Sequence, residues 1–158
     1  MLLFLQQMDV QLVIIKYFFN NQNSNQMSQK VERTYADLLE LVRNLNGVQA
    51  EPNSKREKKL KKIAEKVKPI FDEYNEKRED VRLDNAYANA EGVLDLNEKG
   101  EYKFTKEGLK QMNKDMKKLL DKSFEFYQLS FNNESIEDLM FLAGWVESIS
   151  LPKEENEL

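Results

Sequence analysis

The chain has 158 residues, 33% of them charged, and a formal net charge of -4 at pH 7. It contains no histidine and no cysteine, which excludes disulfides, a thiolate nucleophile, the commonest general base and the usual ligands of transition metals. The length predicts one domain, and interleaved Lys and Glu with few Gly and Pro are typical of a helical bundle with solvated outer faces.

Residues 1–26 differ from the rest, because an interrupted apolar stretch is followed by a run rich in Asn and Gln. A signal peptide and a membrane span are both disfavoured by the polar residues within the apolar stretch, namely Gln6, Gln7, Asp9, Gln11 and Lys16. We favour a natural start at Met27, with residues 1–26 as an upstream extension. The alternative is a short strand or helix packed on the domain through Val10, Leu12 and Ile14.

From Ser28 onward, apolar residues recur at helical spacing and predict a first amphipathic helix. Its stripe consists of Val31, Tyr35, Leu38, Val42 and Leu45. Asn46 and Gly47 end this helix, since glycine tolerates the left-handed conformation found after a helix C-terminus.

The central prediction is a long helix over residues 54–81, around which the rest of the chain is organised. Its apolar stripe consists of Leu60, Ile63, Val67, Ile70 and Tyr74. Asn53 or Ser54 caps this helix. Pro69 cannot donate a backbone hydrogen bond, so we expect a kink there or two helices meeting at Lys68. The stripe continues in phase beyond Pro69, which favours the kink.

Residues 93–104 alternate apolar and polar side chains on both sides of a turn at 97–100, which predicts a β-hairpin. We expect the hairpin to contact the helices through Val93, Leu94, Tyr102 or Phe104, because an isolated hairpin is marginal in water. Thr105 then caps a third helix, whose inner face we predict to be Leu109, Met112, Met116, Leu119 and Leu120.

The C-terminal part is harder to assign. Residues 125–131 alternate closely enough to be extended. A cap at Ser135 predicts a short helix through residues 139–146. Residues 149–158 are predicted to be an acidic tail.

No motif predicts catalysis, a cofactor or a metal. Asp95 and Asn97 open like a calcium-binding EF-hand loop, but Lys99 and Lys106 occupy the fifth and twelfth positions, where oxygen ligands are required. The glycines do not have the spacing of glycine-rich phosphate-binding loops. The Gly-x-Ser-x-Gly motif, which presents a nucleophilic serine in hydrolases, does not occur. We therefore predict no catalytic, cofactor-binding or metal-binding residues.

Residues 55–68 hold eight basic residues against two glutamates, and this is the one local charge bias. As a nucleic-acid surface it would use the lysines of one helix face, namely Lys55, Lys58, Lys59, Lys62 and Lys66. No aromatic residues for base stacking are interleaved with them, and the whole chain is acidic. We therefore favour a solvated face that pairs with acidic groups of this chain or of a partner.

The last quarter of the chain is rich in aromatic residues: Phe124, Phe126, Phe131, Phe141 and Trp145. We expect most of them to form core at the end of the helices. Any that are exposed are the candidates for binding a partner, because aromatic side chains dominate interface energetics.

The order of these parts resembles small proteins of tailed bacteriophages with a helical hairpin interrupted by a β-hairpin. The resemblance covers about residues 31–146 and includes Leu45-Asn46-Gly47, the Lys-rich helix with Pro69, and the pattern Leu94-Asp95-x-Asn97-x-x-Gly100-x-Tyr102-x-Phe104. It implies a virion-assembly accessory protein or a modulator of a host protein, in the cytoplasm of a bacterial host or associated with the virion. Residues 1–26 and Trp145 lie outside the shared pattern.

Taken together, the patterns predict a mainly α fold, an antiparallel helical hairpin or bundle with a small β-hairpin at the connection of the two long helices. The domain would span residues 27–148. We expect a non-enzymatic protein that binds a protein partner and has no membrane association, and the alternative is a small nucleic-acid-associated protein that uses the basic helix face.

Overall fold

The computed structural model describes residues 28–131, 136 and 138–147, so the predicted extension and the predicted acidic tail lie outside the described residues. The described chain is mainly helical, with a small two-stranded antiparallel sheet. In chain order its elements are β1 (Lys30–Thr34), α1 (Tyr35–Gly47), α2 (Lys55–Asn85), α3 (Lys106–Asp121) and β2 (Ser123–Tyr127), followed by a 3-10 turn at Met140–Leu142.

The first helix begins at Tyr35, later than its sequence pattern indicated. The preceding residues form strand β1 and pair with β2, so the prediction of a helix containing Val31 was wrong. Thr34 is the N-cap of α1: its hydroxyl accepts the Asp37 N–H, and the Asp37 carboxylate accepts the Thr34 N–H. This reciprocal capping box fixes the start of the helix and leaves the residues before it free to pair as a strand.

Helix α2 buries the apolar stripe predicted for it, except that Ile70 is only half-buried. The other members are at most 5% exposed: Leu60, Ile63, Val67 and Tyr74. The helix continues unbroken past Lys68, so the alternative of two helices was wrong. Pro69 is exposed, and water can therefore reach the Glu65 carbonyl that a proline cannot hydrogen-bond.

The core lies between α1, the first half of α2, the sheet and the C-terminal stretch, and Phe126, Leu142 and Trp145 are among its buried members. The described C-terminal residues form a 3-10 turn and isolated bridges instead of the predicted short helix. The physical reason lies at Gly144, whose φ of 86° is outside the helical range. Ser135, the predicted cap, lies outside the described residues.

Helix α3 buries less of its apolar face than predicted. Leu119 is 3% exposed, whereas Leu109 is 46% exposed, and the other predicted members are half-buried: Met112, Met116 and Leu120. In α2, no residue beyond Tyr74 is buried. The far parts of both helices and their connection, residues 75–115, therefore contain no buried residue, although Val81 packs against the core. We call this region the arm.

The connection between α2 and α3 contains the predicted hairpin in a reduced form, with one isolated bridge between Leu96 and Tyr102 instead of two regular strands. A second, unpredicted turn precedes it, and the bridge of Ala88 with Leu94 closes that turn. Both turns are built alike. In the first, the Asn89 side-chain oxygen accepts the N–H groups of residues 91 and 93, and in the second Asn97 accepts those of residues 99 and 101.

Candidate protein-binding surface

The arm carries most of the exposed large apolar side chains of the described chain. The described chain has seven exposed large apolar residues, and five of them lie between residues 83 and 109, with exposed fractions from 37% to 59%. We call these five residues the arm tip: Leu83, Tyr87, Val93, Leu96 and Leu109. Single exposed apolar residues are ordinary, but a concentration of them in one region marks an interaction surface.

Tyr87 and Val93 lie on the same side of the connection, because side chains alternate between sides along extended backbone. The backbone pairing that sets this register is Asp95 N–H to the Tyr87 carbonyl at 3.2 Å and Asn89 N–H to the Val93 carbonyl at 2.9 Å. The ion pair of Asp95 with Lys103, at 3.1 Å, lies on the same side. The result is an apolar pair bordered by opposite charges, which is the composition of a protein interface with a polar rim.

The other side of the connection is held against α2. The Arg82 guanidinium lies 5.6 Å from the centre of the Tyr102 ring. The hydrogen bond of the Tyr102 hydroxyl with Glu79 raises the pKa of that hydroxyl. Of the four residues through which the hairpin was predicted to contact the helices, Tyr102 does so, and Leu94 and Phe104 are half-buried, whereas Val93 is 59% exposed.

Polar contacts join the two helices at the base of the tip. The Asn85 side-chain amide donates to the Val81 carbonyl at 2.8 Å and to the Asp115 carboxylate at 3.1 Å. Hydrogen bonds from Asn85 and then from Gln111 lower the pKa of Asp115. Gly108 passes so close that a Cβ atom there would lie 2.8 Å from the Asn85 carbonyl oxygen. These contacts place the apolar tip on a defined support.

The lysines predicted as a basic face do lie on one side of α2, since positions 55, 58, 59, 62 and 66 follow helical spacing. Lys55, Lys58 and Lys62 are exposed. Lys59 is half-buried, with its ammonium 5.6 Å from the centre of the Phe131 ring. Burial, and then the charges of Lys55 and Lys62, lower the pKa of Lys59.

Lys66 differs from the other four lysines because it packs into the protein. Its ammonium lies 4.7 Å from the centre of the Phe126 ring and donates a hydrogen bond to the Tyr127 carbonyl. Burial lowers the pKa of Lys66 to about 8, and the Glu147 carboxylate acts in the opposite direction. This side chain connects α2 to β2, so it serves the fold and is not an open contact for phosphate.

The five aromatic residues predicted for partner binding lie in or against the core. Phe126 and Trp145 are 2% and 3% exposed, with ring centres 5.0 Å apart. These two rings serve the core and are not accessible to a partner. The other three are half-buried: Phe124, Phe131 and Phe141. Phe124 lies 5.6 Å from the Tyr35 ring and 6.3 Å from the Trp145 ring, and a surface role for these three stays a prediction.

The sequence reasoning did not assign the arm tip as a surface. Leu109 was predicted as core and Val93 as a helix contact, and Leu83, Tyr87 and Leu96 received no role. One signal was present, since Asn-x-x-Gly occurs at residues 89–92 and again eight positions later at 97–100. Two such turns close together in the chain leave little backbone for burying the apolar residues between them.

In the described residues, no group of three or more Asp, Glu, His or Cys side chains is arranged to hold a metal ion. A cavity of about 340 Å³ lies where the end of α1 meets the start of α2. Its walls include Leu45, Val48 and Leu60, with Glu57 as the charged group. The Glu57 carboxylate is already paired with Lys61 at 3.0 Å, and that hydrogen bond lowers the pKa of Glu57.

In comparisons with protein-family models, with curated proteins and with solved structures, nothing matches this chain. Within the part of the chain that the structure describes, no helix combines the length and the apolar character needed to cross a membrane. The function is therefore argued from the geometry of the surface itself.

Proposed function

We propose that this chain is a non-enzymatic protein-binding protein and that the arm tip is its contact surface. The proposal is supported by the exposure of the five tip residues on a region that has no buried residue and whose apolar residues pack against the core only at the half-buried Val81. Covering apolar surface contributes roughly 25 cal/mol per Å², and aromatic side chains such as Tyr87 are frequent binding hot spots. A partner with an apolar patch would gain this energy at the tip.

We also propose that α2 and α3 run antiparallel and form a helical hairpin. Two contacts support it. Gly108, at the start of α3, approaches Asn85 at the end of α2. At the other end, Tyr35 donates its N–H to the Lys122 carbonyl at 3.1 Å and its hydroxyl accepts a hydrogen bond from Lys77. In this arrangement the two helices carry the tip away from the core.

The biological setting we propose follows the layout resemblance to proteins of tailed bacteriophages. In that setting the chain would act as a virion-assembly accessory protein or as a modulator of a host protein. Both roles need a stable surface that another protein recognises, and neither needs catalytic residues. The lack of His and Cys in the sequence supports a role without chemistry.

The test is affinity capture from bacterial lysate with three versions of the chain. The tip variant carries Tyr87→Lys and Val93→Lys, which place two charges on the apolar pair. The control variant carries Tyr127→Lys and Met140→Lys, at positions 54% and 45% exposed and outside the arm. We expect a stoichiometric protein partner that the native chain and the control retain and the tip variant loses.

Two results would contradict the proposal. One is a partner that all three versions retain equally, because charges at Tyr87 and Val93 cannot be tolerated in an apolar contact. The other is turnover of a metabolite by the purified native chain in the absence of any bound protein.

The second candidate is a small nucleic-acid-associated protein that uses the exposed lysines of the basic face, Lys55, Lys58 and Lys62. Lys59 and Lys66, which were predicted with them, lie against Phe131 and Phe126. This candidate is supported by the number of cations on one face. It is less well supported than protein binding, because the rings that lie beside these lysines are Phe126, which is buried, and Phe131, which Lys59 covers. Base stacking needs an exposed ring.

A further inference from the structure

The first half of α2 presents a second surface that is separate from the arm tip. Four lysines, Lys55, Lys58, Lys59 and Lys62, lie on one face within two turns of the helix, and we call them the lysine ridge. Helical rise places the ridge about 35 Å from the end of α2. It is therefore too far from the tip for one small contact to cover both.

Within the described residues, the lysine ridge has no ion pairs, although other lysines of α2 do. Lys61 pairs with Glu57, Lys68 with Asp72 and Lys77 with Glu73, each by an i,i+4 contact of 3.0 or 3.1 Å. Such pairs stabilise a helix by a few tenths of a kcal/mol. On the ridge, like charges instead follow one another at spacings of three and four residues, which is an unfavourable arrangement.

One ridge lysine shows the consequence of this arrangement. The Lys59 ammonium is buried and has no hydrogen-bond partner in the described structure. Burial, and then the neighbouring charges of Lys55 and Lys62, lower its pKa. A bound anion would relieve the repulsion among the ridge lysines, of which Lys55, Lys58 and Lys62 are exposed.

We propose that the lysine ridge binds an acidic segment of a partner polypeptide. Carboxylates spaced three and four residues apart on a helix match the spacing of the three exposed ridge lysines, Lys55, Lys58 and Lys62. A nucleic acid matches less well, since the ring that lies beside the ridge, Phe131, is half-buried and covered by Lys59. This proposal does not rest on the arm tip, so the protein would have two separate contact surfaces.

The experiment measures binding of two fluorescent probes by anisotropy, each carrying the same charge. One is a glutamate-rich helical peptide with carboxylates at i, i+3 and i+4, and the other is a single-stranded oligothymidylate. The ridge variant carries Lys58→Glu and Lys62→Glu. The matched control carries Lys106→Glu and Lys110→Glu, two exposed lysines at the same i,i+4 spacing on α3.

We expect the native chain and the control to bind the peptide more tightly than the oligonucleotide, and the ridge variant to lose roughly tenfold or more of its peptide affinity. The affinity should fall as salt rises. Tighter binding of the oligonucleotide would overturn the proposal and assign the ridge to nucleic acid. Equal losses in both variants, or no peptide binding by the native chain, would also overturn it. So would self-association that only the ridge variant abolishes, because the occupant would then be a second copy.

The test of the lysine ridge can fail or succeed independently of the test of the arm tip. The Tyr87→Lys and Val93→Lys variant keeps the ridge intact and should bind the acidic peptide like the native chain. Failure of the ridge proposal would leave partner capture through the tip unchanged.

Discussion

At the scale of single residues, the Arg33 side chain lies directly against Gly144. The Arg33 guanidinium lies 5.1 Å from the centre of the Trp145 ring and donates to the Ala143 carbonyl at 2.9 Å. Any Cβ atom at Gly144 would overlap this guanidinium. The glycine therefore has two functions, since it also adopts a φ of 86°.

We predict that Gly144→Ala lowers the free energy of unfolding by about 2–4 kcal/mol, through backbone strain and displacement of Arg33. Gly92→Ala is the matched control, because Gly92 has a similar φ of 78° and no atom within 4 Å of its would-be Cβ. That variant should lose about 1–2 kcal/mol from strain alone. Urea denaturation measures both values, and equal losses would show that the Arg33 contact contributes nothing.

We predict that the free energy of unfolding depends on pH through the titration of Lys66. The pKa of this lysine falls on folding from 10.5 to about 8, so between these values the unfolded chain binds more protons than the folded chain. The free energy of unfolding must then rise with pH from about 8 upward. Below about pH 8 the lysine is charged in both states, and the unfavourable burial of its ammonium is fully present.

The measurement compares urea denaturation of the native chain and of Lys66→Met at about pH 7 and about pH 9. We expect the native chain to gain stability over this interval and the variant to gain less, because the variant has no proton to release at this position. Equal slopes would mean that the ammonium remains well hydrated in the folded protein.

The candidate sites show which residues a sequence pattern can assign. Leu60, Ile63, Val67 and Tyr74 were predicted as core because their spacing shares one helical stripe, and the structure confirms them. The pattern was less informative for Leu109, whose spacing fits the same face of α3 as Leu119. The spacing of apolar residues identifies which face of a helix is apolar. It does not show along what length of the helix another element packs on that face, because tertiary contacts decide this.

At the scale of elements, α3 is a helix supported by the core at one end. Leu119 is buried among core residues, whereas Leu109 is 46% exposed. Leu119→Ala should lower the free energy of unfolding by about 2–4 kcal/mol because it leaves a cavity. Leu109→Ala should change it by less than about 0.5 kcal/mol, since leucine and alanine have similar helix propensities.

Thermal or urea denaturation of the two variants distinguishes this arrangement from a fully packed helical pair. Similar losses at both positions would show that Leu109 is covered in solution and that the arm is part of the core.

The strand β1 explains why the start of the first helix could not be predicted from apolar spacing alone. Val31 and Tyr35 are four residues apart, which fits one face of a helix. Lys30, Val31, Glu32 and Arg33 alternate in burial, which fits a strand equally well. The deciding information is the long-range pairing with β2 and the capping box at Thr34, and only the second is visible locally.

At the scale of the whole molecule, the described chain divides its apolar residues between two uses. One set fills the core formed by α1, the first half of α2, the sheet and the C-terminal stretch. The other set remains exposed at the arm tip, beyond Tyr74, where α2 buries no further residue. Natural chains seldom leave such residues exposed together without a use.

The regular strands β1 and β2 are not those of the predicted hairpin, which is present as isolated bridges. The predicted fold class was correct in its coarse form, a mainly helical chain, and all three α-helices that the described residues form were expected. Helix propensity and apolar period are local properties, and they predicted these parts. The aromatic residues in the last quarter of the chain show what these local properties cannot predict. Its composition fitted core and interface alike, and Phe126 and Trp145 lie in the core only because β2 and the C-terminal stretch meet there.

The most direct test of the central claim is amide hydrogen exchange of the chain, free and bound to the partner captured through the tip. We expect protection on binding to concentrate at residues 83–109, while α1 exchanges as in the free chain. Protection confined to α1 or to the sheet, with residues 83–109 unchanged, would contradict the claim that the arm tip is the surface by which this protein acts.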